Sequence, residues 1–128
     1  MFDSSSPIYL QLARQIEDQI VAGELAAGQQ VMSTTQYALK LQINPATVAK
    51  AFSLLVAKGF LEKRRGLGML VTSAAHHALL QQRKTDFFAN VLHSTLEQAK
   101  LLGISTSEIV AFITKAEPNL GPESEEVS

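Results

Sequence analysis

The feature that most constrains this chain is a pair of capped helices joined by a very short connection. The first helix is predicted to begin at residues 33–36, where Ser-Thr-Thr-Gln matches a capping box, and to end near Leu41. After residues 42–44, the pair Asn44-Pro45 supplies a helix cap and a first-turn proline, and the second helix runs to about Lys58. Two such helices in succession are typical of a helix-turn-helix.

A hairpin follows this pair of helices directly. Residues 60–64 and 69–72 are predicted to form two short strands around a glycine-containing tip at residues 65–68. Because a two-stranded hairpin is too small to be stable alone, it must pack against the helices. The predicted fold class is therefore mainly α with a small β-hairpin, which is the pattern of a winged helix-turn-helix.

A third helix is predicted upstream of these elements. Isoleucine or leucine recurs at every fourth position over residues 8–20, which gives one apolar stripe. In the pair Ser6-Pro7 we expect the serine to cap this helix and the proline to occupy its first turn. Gly23 is expected to end it, and residues 24–30 to form a loop. Residues 1–73 then make up one winged helix-turn-helix domain.

The remainder of the chain has a second helical pattern. Residues 75–102 follow a helical period as one long helix that Gly103 ends, and a capping box at residues 105–108 opens a short helix. The element at residues 74–116 is too short to bury its own apolar faces. We therefore expect a homodimer through this element, with folding back onto its own winged domain as the alternative. The predicted dimerisation residues are Leu80, Phe87, Phe88, Val91, Leu92, Leu96, Ile109, Phe112 and Ile113.

Charge is distributed unevenly along the sequence. Residues 1–39 carry a net charge of −3, residues 40–84 carry +7 and residues 85–128 carry −5. A basic middle between acidic ends indicates a face that binds a polyanion, although solvated surface lysines would give the same count. Residues 117–128 are rich in proline, glutamate and serine, so we expect an acidic disordered tail.

The start of the second capped helix has the side chains that a recognition helix needs. Short polar or cationic groups there can reach base edges in the major groove, and Ala46, Thr47 and Lys50 lie close together on the helix surface. Backbone N–H groups at the starts of the two helices can bind phosphate, with simple capping by Ser33 and Asn44 as the alternative. The predicted DNA-binding residues of these helices are Ser33, Thr34, Thr35, Asn44, Ala46, Thr47 and Lys50.

The hairpin tip is the strongest local signal for nucleic acid. Lys63, Arg64 and Arg65 are consecutive cations, and arginine suits a narrow minor groove. Gly66 and Gly68 allow the backbone to approach a duplex closely. The alternative is a solvated turn whose charges protect an edge strand.

A wider set of residues resembles a known family. The set comprises residues 7–9 (Pro-Ile-Tyr), 20–25 (Ile-Val-Ala-Gly-Glu-Leu), Gly28, 44–48 (Asn-Pro-Ala-Thr-Val), Ala51-Phe52, Leu55, 59–61 (Gly-Phe-Leu), 65–68 (Arg-Gly-Leu-Gly) and Val71. Together they resemble the GntR family of bacterial regulators, and the chain length and short helical C-terminus resemble its YtrA-like subfamily. The resemblance implies a DNA-binding winged helix, a small dimerisation element and control of transporter operons.

The sequence departs from the family pattern at three positions. The second helix of the family usually has a proline and an arginine, where this chain has Met32 and Thr35. Ala49 stands in the recognition helix where a longer polar residue is common. The resemblance therefore implies DNA binding with altered affinity or operator choice.

Other classes of function find little support. The chain has no cysteine and no phosphate-binding glycine loop, so we expect neither an enzyme nor a cofactor. His76 and His77 lie on a different helix face from His93, so we expect no metal site. No apolar run approaches a membrane span and no signal peptide is apparent, which favours the cytoplasm. We expect a repressor of a two-fold operator, with a small effector as an open question and a winged helix for protein–protein contact as the alternative.

Overall fold

The computed structural model describes residues 2–116. It divides into two compact units, Met1–Lys84 and Thr85–Ser128, which are described separately. The tail predicted at residues 117–128 lies outside the described residues. The first unit is a winged helix-turn-helix: three helices, a two-stranded antiparallel hairpin and most of a fourth helix. Its elements are α1 (Ile8–Val21), α2 (Thr34–Leu41), α3 (Pro45–Ala57), β1 (Leu61–Arg64), β2 (Gly68–Val71) and α4 (Ala75–Asp86).

Local hydrogen bonds define the helix-turn-helix as the sequence predicts. The Ser33 hydroxyl accepts from the Gln36 N–H at 3.1 Å, and the Gln36 side chain accepts from the Ser33 N–H at 2.8 Å. Gln42 takes a left-handed conformation with φ 57°, and the Asn44 side chain caps α3 by accepting from the Ala46 N–H at 2.7 Å. The capping box, the turn and the second cap are therefore confirmed.

The cap predicted for α1 is wrong. Pro7, rather than Ser6, occupies the N-cap position, with an extended ψ of 145° and no side-chain hydrogen bond. The Pro7 carbonyl accepts from the Leu10 and Gln11 N–H groups at 3.1 and 3.3 Å. The Ser6 carbonyl instead accepts from the Gln11 side-chain amide at 2.7 Å. A hydrogen bond from the Gln11 side chain in α1 therefore fixes the backbone just before the helix.

The core of the first unit is mainly aliphatic and joins all its helices. Leu12, Ile16 and Ile20 of α1 pack with Val48 and Leu55 of α3, and all are buried. The core also includes two α4 residues, Ala75 and Leu79, which are both fully buried. Because α4 contributes to this core, the first unit continues beyond residue 73.

The predicted loop at residues 24–30 contributes to the wing. Gln30 forms an isolated antiparallel bridge with Leu70. The Val31 N–H donates to the Met69 carbonyl at 2.9 Å, and the Val71 N–H donates to the Gln29 carbonyl at 3.0 Å. This segment therefore lies along β2 on the side opposite β1 and supports the hairpin.

The single α-helix predicted over residues 75–102 is interrupted where the second unit begins. A π-helical segment, Phe87–Leu92, separates α4 from α5 (His93–Leu101). Its first two rings, Phe87 and Phe88, meet edge to face with centroids 5.6 Å apart. Because a π-helix has a wider turn than an α-helix, α-helical spacing does not relate side chains across this segment.

The end of α5 and the start of α6 (Thr106–Ala116) follow the local signals. Gly103 has a φ of 73°, and the Ile104 N–H reaches back to the Ala99 carbonyl at 2.9 Å. Ser105 and Glu108 exchange hydrogen bonds in a second capping box, at 2.8 and 3.1 Å. The predicted helix end and the predicted second cap are therefore confirmed.

Candidate nucleic-acid interface

The helix α3 has one buried face and one free face. Val48, Ala51, Phe52 and Leu55 point into the core. Phe52 meets the ring of Tyr37 from α2 edge to face at 5.8 Å, which helps to fix the angle between the two helices. The opposite face of α3 presents exposed Ala46, Ala49, Lys50 and Ser53, with Thr47 half-buried beside them.

Lys50 is the only cation on that free face, and an aromatic ring orients it. Its ammonium nitrogen lies 4.2 Å from the centroid of the Tyr9 ring on α1. A cation held over a ring face is attracted by the ring's negative π surface, which restricts the side chain without removing its charge. Lys50 thus stays on the exposed side of α3 with a preferred direction.

An open groove of about 520 Å³ runs between α2, α3 and the wing. Thr34 from the first turn of α2, Ala49 and Ser53 from α3, and Lys63 from β1 all line it. The structure thus brings together predicted site residues from the start of α2 and from the wing. Thr35 and Ser33 are exposed next to Thr34, while the polar atoms of Ser33 and Asn44 also serve as caps.

The wing tip is exposed and tightly turned. Arg64 pairs with Gly68 at the end of the two-stranded ladder, and the Leu67 N–H donates to the Arg64 carbonyl at 3.0 Å. Gly66 and Gly68 have φ values of 80° and 90°, which L side chains rarely adopt. A side chain at Gly68 would also approach the Gln30 amide, at 3.1 Å from the added carbon.

The cations of the wing are available to solvent. Lys63, Arg64 and Arg65 are all exposed. Arg64 forms an ion pair with Glu62 at 3.3 Å, in which both side chains are about half-exposed. Such surface pairs are weak and exchange readily for a phosphate oxygen. The tip can therefore present three positive charges to a polyanion.

Two cations of the basic middle do not belong to this surface. Lys58 and Arg83 both turn toward the buried carboxylate of Glu17, at 3.1 and 3.3 Å. The charge count of the sequence therefore overstates the outward-facing charge near α3 and the wing. Sequence spacing gave no signal for these pairs, because the partners are 41 and 66 positions apart.

The second unit exposes an apolar surface. Phe88 is 63% exposed and Phe112 is 72% exposed, which is unusual for large apolar side chains on a folded unit. A groove of about 600 Å³ between α5 and α6 is lined by the predicted Leu92, Leu96 and Phe112. Two apolar lining residues, Leu102 and Ile104, lie outside the predicted set. Leu101 and Val110, also outside that set, are exposed.

The histidines are not arranged for a metal. His76 makes a hydrogen bond with the Val21 carbonyl at 3.2 Å. Among residues 2–116 no three His, Asp or Glu side chains come together as a metal site would require. No helix in that part of the chain combines the length and the apolar character needed to cross a membrane.

Comparison with known proteins identifies the family. The sequence model for "Bacterial regulatory proteins, gntR family" matches residues 8–71. The HTH-type transcriptional regulator YhcF of Bacillus subtilis (strain 168) is 33% identical over 112 residues, which cover 88% of this chain and 91% of YhcF. The chain belongs to the gntR family of bacterial regulatory proteins.

Two further relatives agree with this membership. The HTH-type transcriptional repressor YtrA of Bacillus subtilis (strain 168) is 32% identical over 64% of this chain and 63% of YtrA. The crystal structure of a transcriptional regulator from Oenococcus oeni superposes with a TM-score of 0.77 at 26% identity, covering 90% of this chain and 94% of that one. As a gntR-family member, the chain is a DNA-binding transcription regulator and not an enzyme.

The departures from the gntR pattern lie at exposed or half-exposed positions. Thr35, where the resemblance leads us to expect an arginine, is exposed in the first turn of α2. Ala49 is exposed on α3 and lines the groove toward the wing. Met32 is half-buried and packs against the core. The first two replacements therefore change the surface, while the third changes a packing contact.

Proposed function

We propose that this chain is a YtrA-like repressor that binds a two-fold symmetric operator as a homodimer in the cytoplasm. The single observation that carries the proposal is the groove in which the start of α2, the free face of α3 and the wing meet. A duplex lying across this surface meets a helix suited to its major groove and a cationic hairpin next to that helix. Repression is supported by the relative YtrA, which is named a transcriptional repressor.

Each part of this surface has a distinct role in the proposal. Exposed N–H groups and hydroxyls at the start of α2, near Ser33 and Thr35, position a phosphate. On α3, Thr47 and Lys50 offer hydrogen bonds to base edges, and the methyl group of Ala46 offers an apolar contact. The Lys63–Arg65 cations supply affinity from the wing, with Gly66 and Gly68 permitting close approach.

The homodimer is supported by the uncovered apolar surface of the second unit. Large apolar side chains cluster on α5, α6 and the π-helical segment, and the unit has too few residues to cover them itself. A second copy offers the same surface, so a two-fold pairing covers both at once. Two recognition helices in such a dimer match half-sites about one helical turn apart.

The proposal also includes a small effector and control of a transporter operon. The groove of about 600 Å³ between α5 and α6 has the size of a small-molecule site. An effector bound there would compete with or reshape the pairing surface. Control of a transporter operon rests only on the resemblance to the YtrA-like subfamily.

The test is selection of duplexes from a random pool by the full chain, followed by footprinting of the selected sequence. We expect two protected half-sites related by a two-fold axis, with centres about one turn, or 10–10.5 base pairs, apart. A single protected half-site would contradict the two-fold arrangement. Failure to enrich any duplex, with no retention on heparin, would instead favour a winged helix used for protein–protein contact.

A further inference from the structure

A buried carboxylate lies where three helices of the first unit meet. Glu17 is only 5% exposed, within the α1 face that also carries the core residues Ile16 and Ile20. One of its oxygens accepts from the Lys58 ammonium at 3.1 Å, and the other accepts from the Arg83 guanidinium at 3.3 Å. Both carboxylate oxygens therefore have a cationic partner.

The two cationic partners of Glu17 lie at the ends of two different helices. Lys58 is the C-cap residue of α3, the helix that carries the proposed base contacts. Arg83 lies in the last turn of α4, next to Lys84, the last residue of the first unit. The second guanidinium nitrogen of Arg83 also reaches Asp18, at 2.9 Å. One side chain of α1 thus joins the end of the recognition helix to the helix by which the chain leaves this unit.

This arrangement fixes the direction of α4. Ala75 and Leu79, in the first half of α4, are packed in the core. Arg83 adds an attachment one turn further along, through a planar fork that holds two adjacent carboxylates. Attachments at both ends of a short helix leave it little freedom to swing relative to α1 and α3.

Stability alone is a poor explanation for such a charge. Removing a carboxylate from water is costly, and apolar residues of similar volume usually stabilise a core as well or better. In some proteins a buried ionic group instead selects one arrangement among several. The geometry therefore suggests that the carboxylate sets an orientation.

We propose that Glu17 is a positioning residue that sets the half-site spacing the dimer accepts. The proposal rests on the proposed function, because it assumes a homodimer reading two half-sites. With α4 held in one direction, each recognition helix has a fixed place relative to α4, the helix by which the chain leaves the first unit. Without the carboxylate, α4 keeps only its core contacts and the Asp18 pair, so its last turn is held less firmly and the dimer can fit half-sites at more than one spacing.

The experiment measures spacing preference rather than binding alone. The duplexes are an isolated half-site and the selected operator with its natural spacing or with one or two base pairs inserted. Each inserted pair rotates one half-site by about 35° relative to the other. The variants are Glu17→Gln and Arg83→Met. The control is Arg14→Met, which removes the same charge from an exposed pair with Asp18 at 3.5 Å.

The expected result is a loss of discrimination without a loss of half-site binding. We expect the parent protein and Arg14→Met to prefer the natural spacing by on the order of tenfold, and Glu17→Gln and Arg83→Met by about twofold or less. Glu17→Gln should bind the isolated half-site with the affinity of the parent protein. Arg83→Met should bind it with the affinity of Arg14→Met, because both variants lose one positive charge.

Three results would overturn the proposal. If both variants unfold at lower temperature but keep the parent's spacing preference, Glu17 only stabilises the core. Because the Arg83 side chain is 21% exposed, Arg83→Met provides a milder test should Glu17→Gln fail to fold. A parent protein that binds half-sites but is indifferent to spacing would refute this inference alone, whereas one that binds no duplex would refute the proposed function as well.

Discussion

Tyr37 shows how burial changes the chemistry of a single side chain. It is 7% exposed on the buried face of α2, and burial raises the pKa of its hydroxyl above the ordinary value of 10.0. The unfolded chain therefore loses this proton at lower pH than the folded chain does. The corresponding part of the free energy of unfolding is present below pH 10.0 and is lost as pH rises toward the folded pKa.

Replacing Tyr37 with Phe should remove this alkaline sensitivity. The ring can keep its edge contact with Phe52, so the fold should be retained. Urea unfolding of both proteins across a pH series that passes 10.0 gives the comparison, since lysine titration is common to both. Above pH 10.0 we expect the free energy of unfolding to fall more for the parent protein than for Tyr37→Phe. Below pH 10.0 the difference between the two proteins should stay constant. Parallel curves throughout would contradict the assignment.

A longer, cationic side chain at Thr35 should strengthen DNA binding. Thr35→Arg should tighten binding to operator and random duplex alike, because a phosphate contact carries no sequence information. The plot of log affinity against log salt should steepen by about 0.9 for each phosphate neutralised, at two sites per dimer. An exposed position in the first turn of a helix tolerates arginine, so the fold should not change.

The control for that prediction is Thr35→Gln, which lengthens the side chain without adding charge. It should leave the salt slope as in the parent protein. An unchanged slope for a folded, dimeric Thr35→Arg variant would mean that this turn of α2 does not face the DNA backbone.

At the scale of elements, the wing combines a rigid base with an exposed tip. Its base is paired on both sides of β2, with β1 on one and the segment around Gln30 on the other. Its tip projects with Arg65, Gly66 and Leu67 exposed to solvent. A supported hairpin can hold its cations in place against DNA with little further loss of conformational entropy.

Changing Arg64 and Arg65 together to Ala should weaken DNA binding. If the two side chains touch phosphate, operator and random duplex should lose affinity alike, and the salt slope should become shallower. If they enter the minor groove, A·T-rich flanks should lose more affinity than other flanks. The matched control is the double change of Lys100 and Lys115 to Ala, which removes the same charge from the second unit. Affinity equal to that of the control on every flank and at every salt concentration would remove the wing from the mechanism.

At the scale of the whole molecule, the apolar surface of the second unit bears on the oligomeric state. The side chains that the helical pattern predicts for dimerisation are mostly solvent-exposed in the single chain, among them Phe87, Phe88 and Val91. Water contact at so many large apolar side chains is unfavourable, which supports an assembly that covers them.

Phe88→Asp or Leu92→Asp should convert the dimer to a monomer. Either change would bury an unpaired charge in the proposed pairing surface, and such a charge is strongly destabilising. Sedimentation of the full chain measures the mass, and Asn90→Asp adds the same charge at an exposed polar position between them. Dimers from both variants, or a monomer from the parent protein, would refute the proposed pairing.

Several elements could be predicted because their signals are local. The capping boxes at Ser33 and Ser105, the cap at Asn44 and the helix end at Gly103 all lie where the sequence predicts them. These features depend on hydrogen bonds and dihedral angles within a few residues, so the order of residues is sufficient to specify them. The dimerisation and DNA-binding residues assigned from these patterns stay predictions.

The partners of several longer side chains could not be predicted, because they depend on tertiary packing. Charge counting assigned Lys58 and Arg83 to a polyanion-binding region, yet both turn to Glu17. Spacing alone also predicted neither the bridge of Gln30 to the wing nor the aromatic contact of Lys50. Each of these contacts joins residues many positions apart, so its partner is fixed by how the helices and the hairpin pack, which no local pattern encodes.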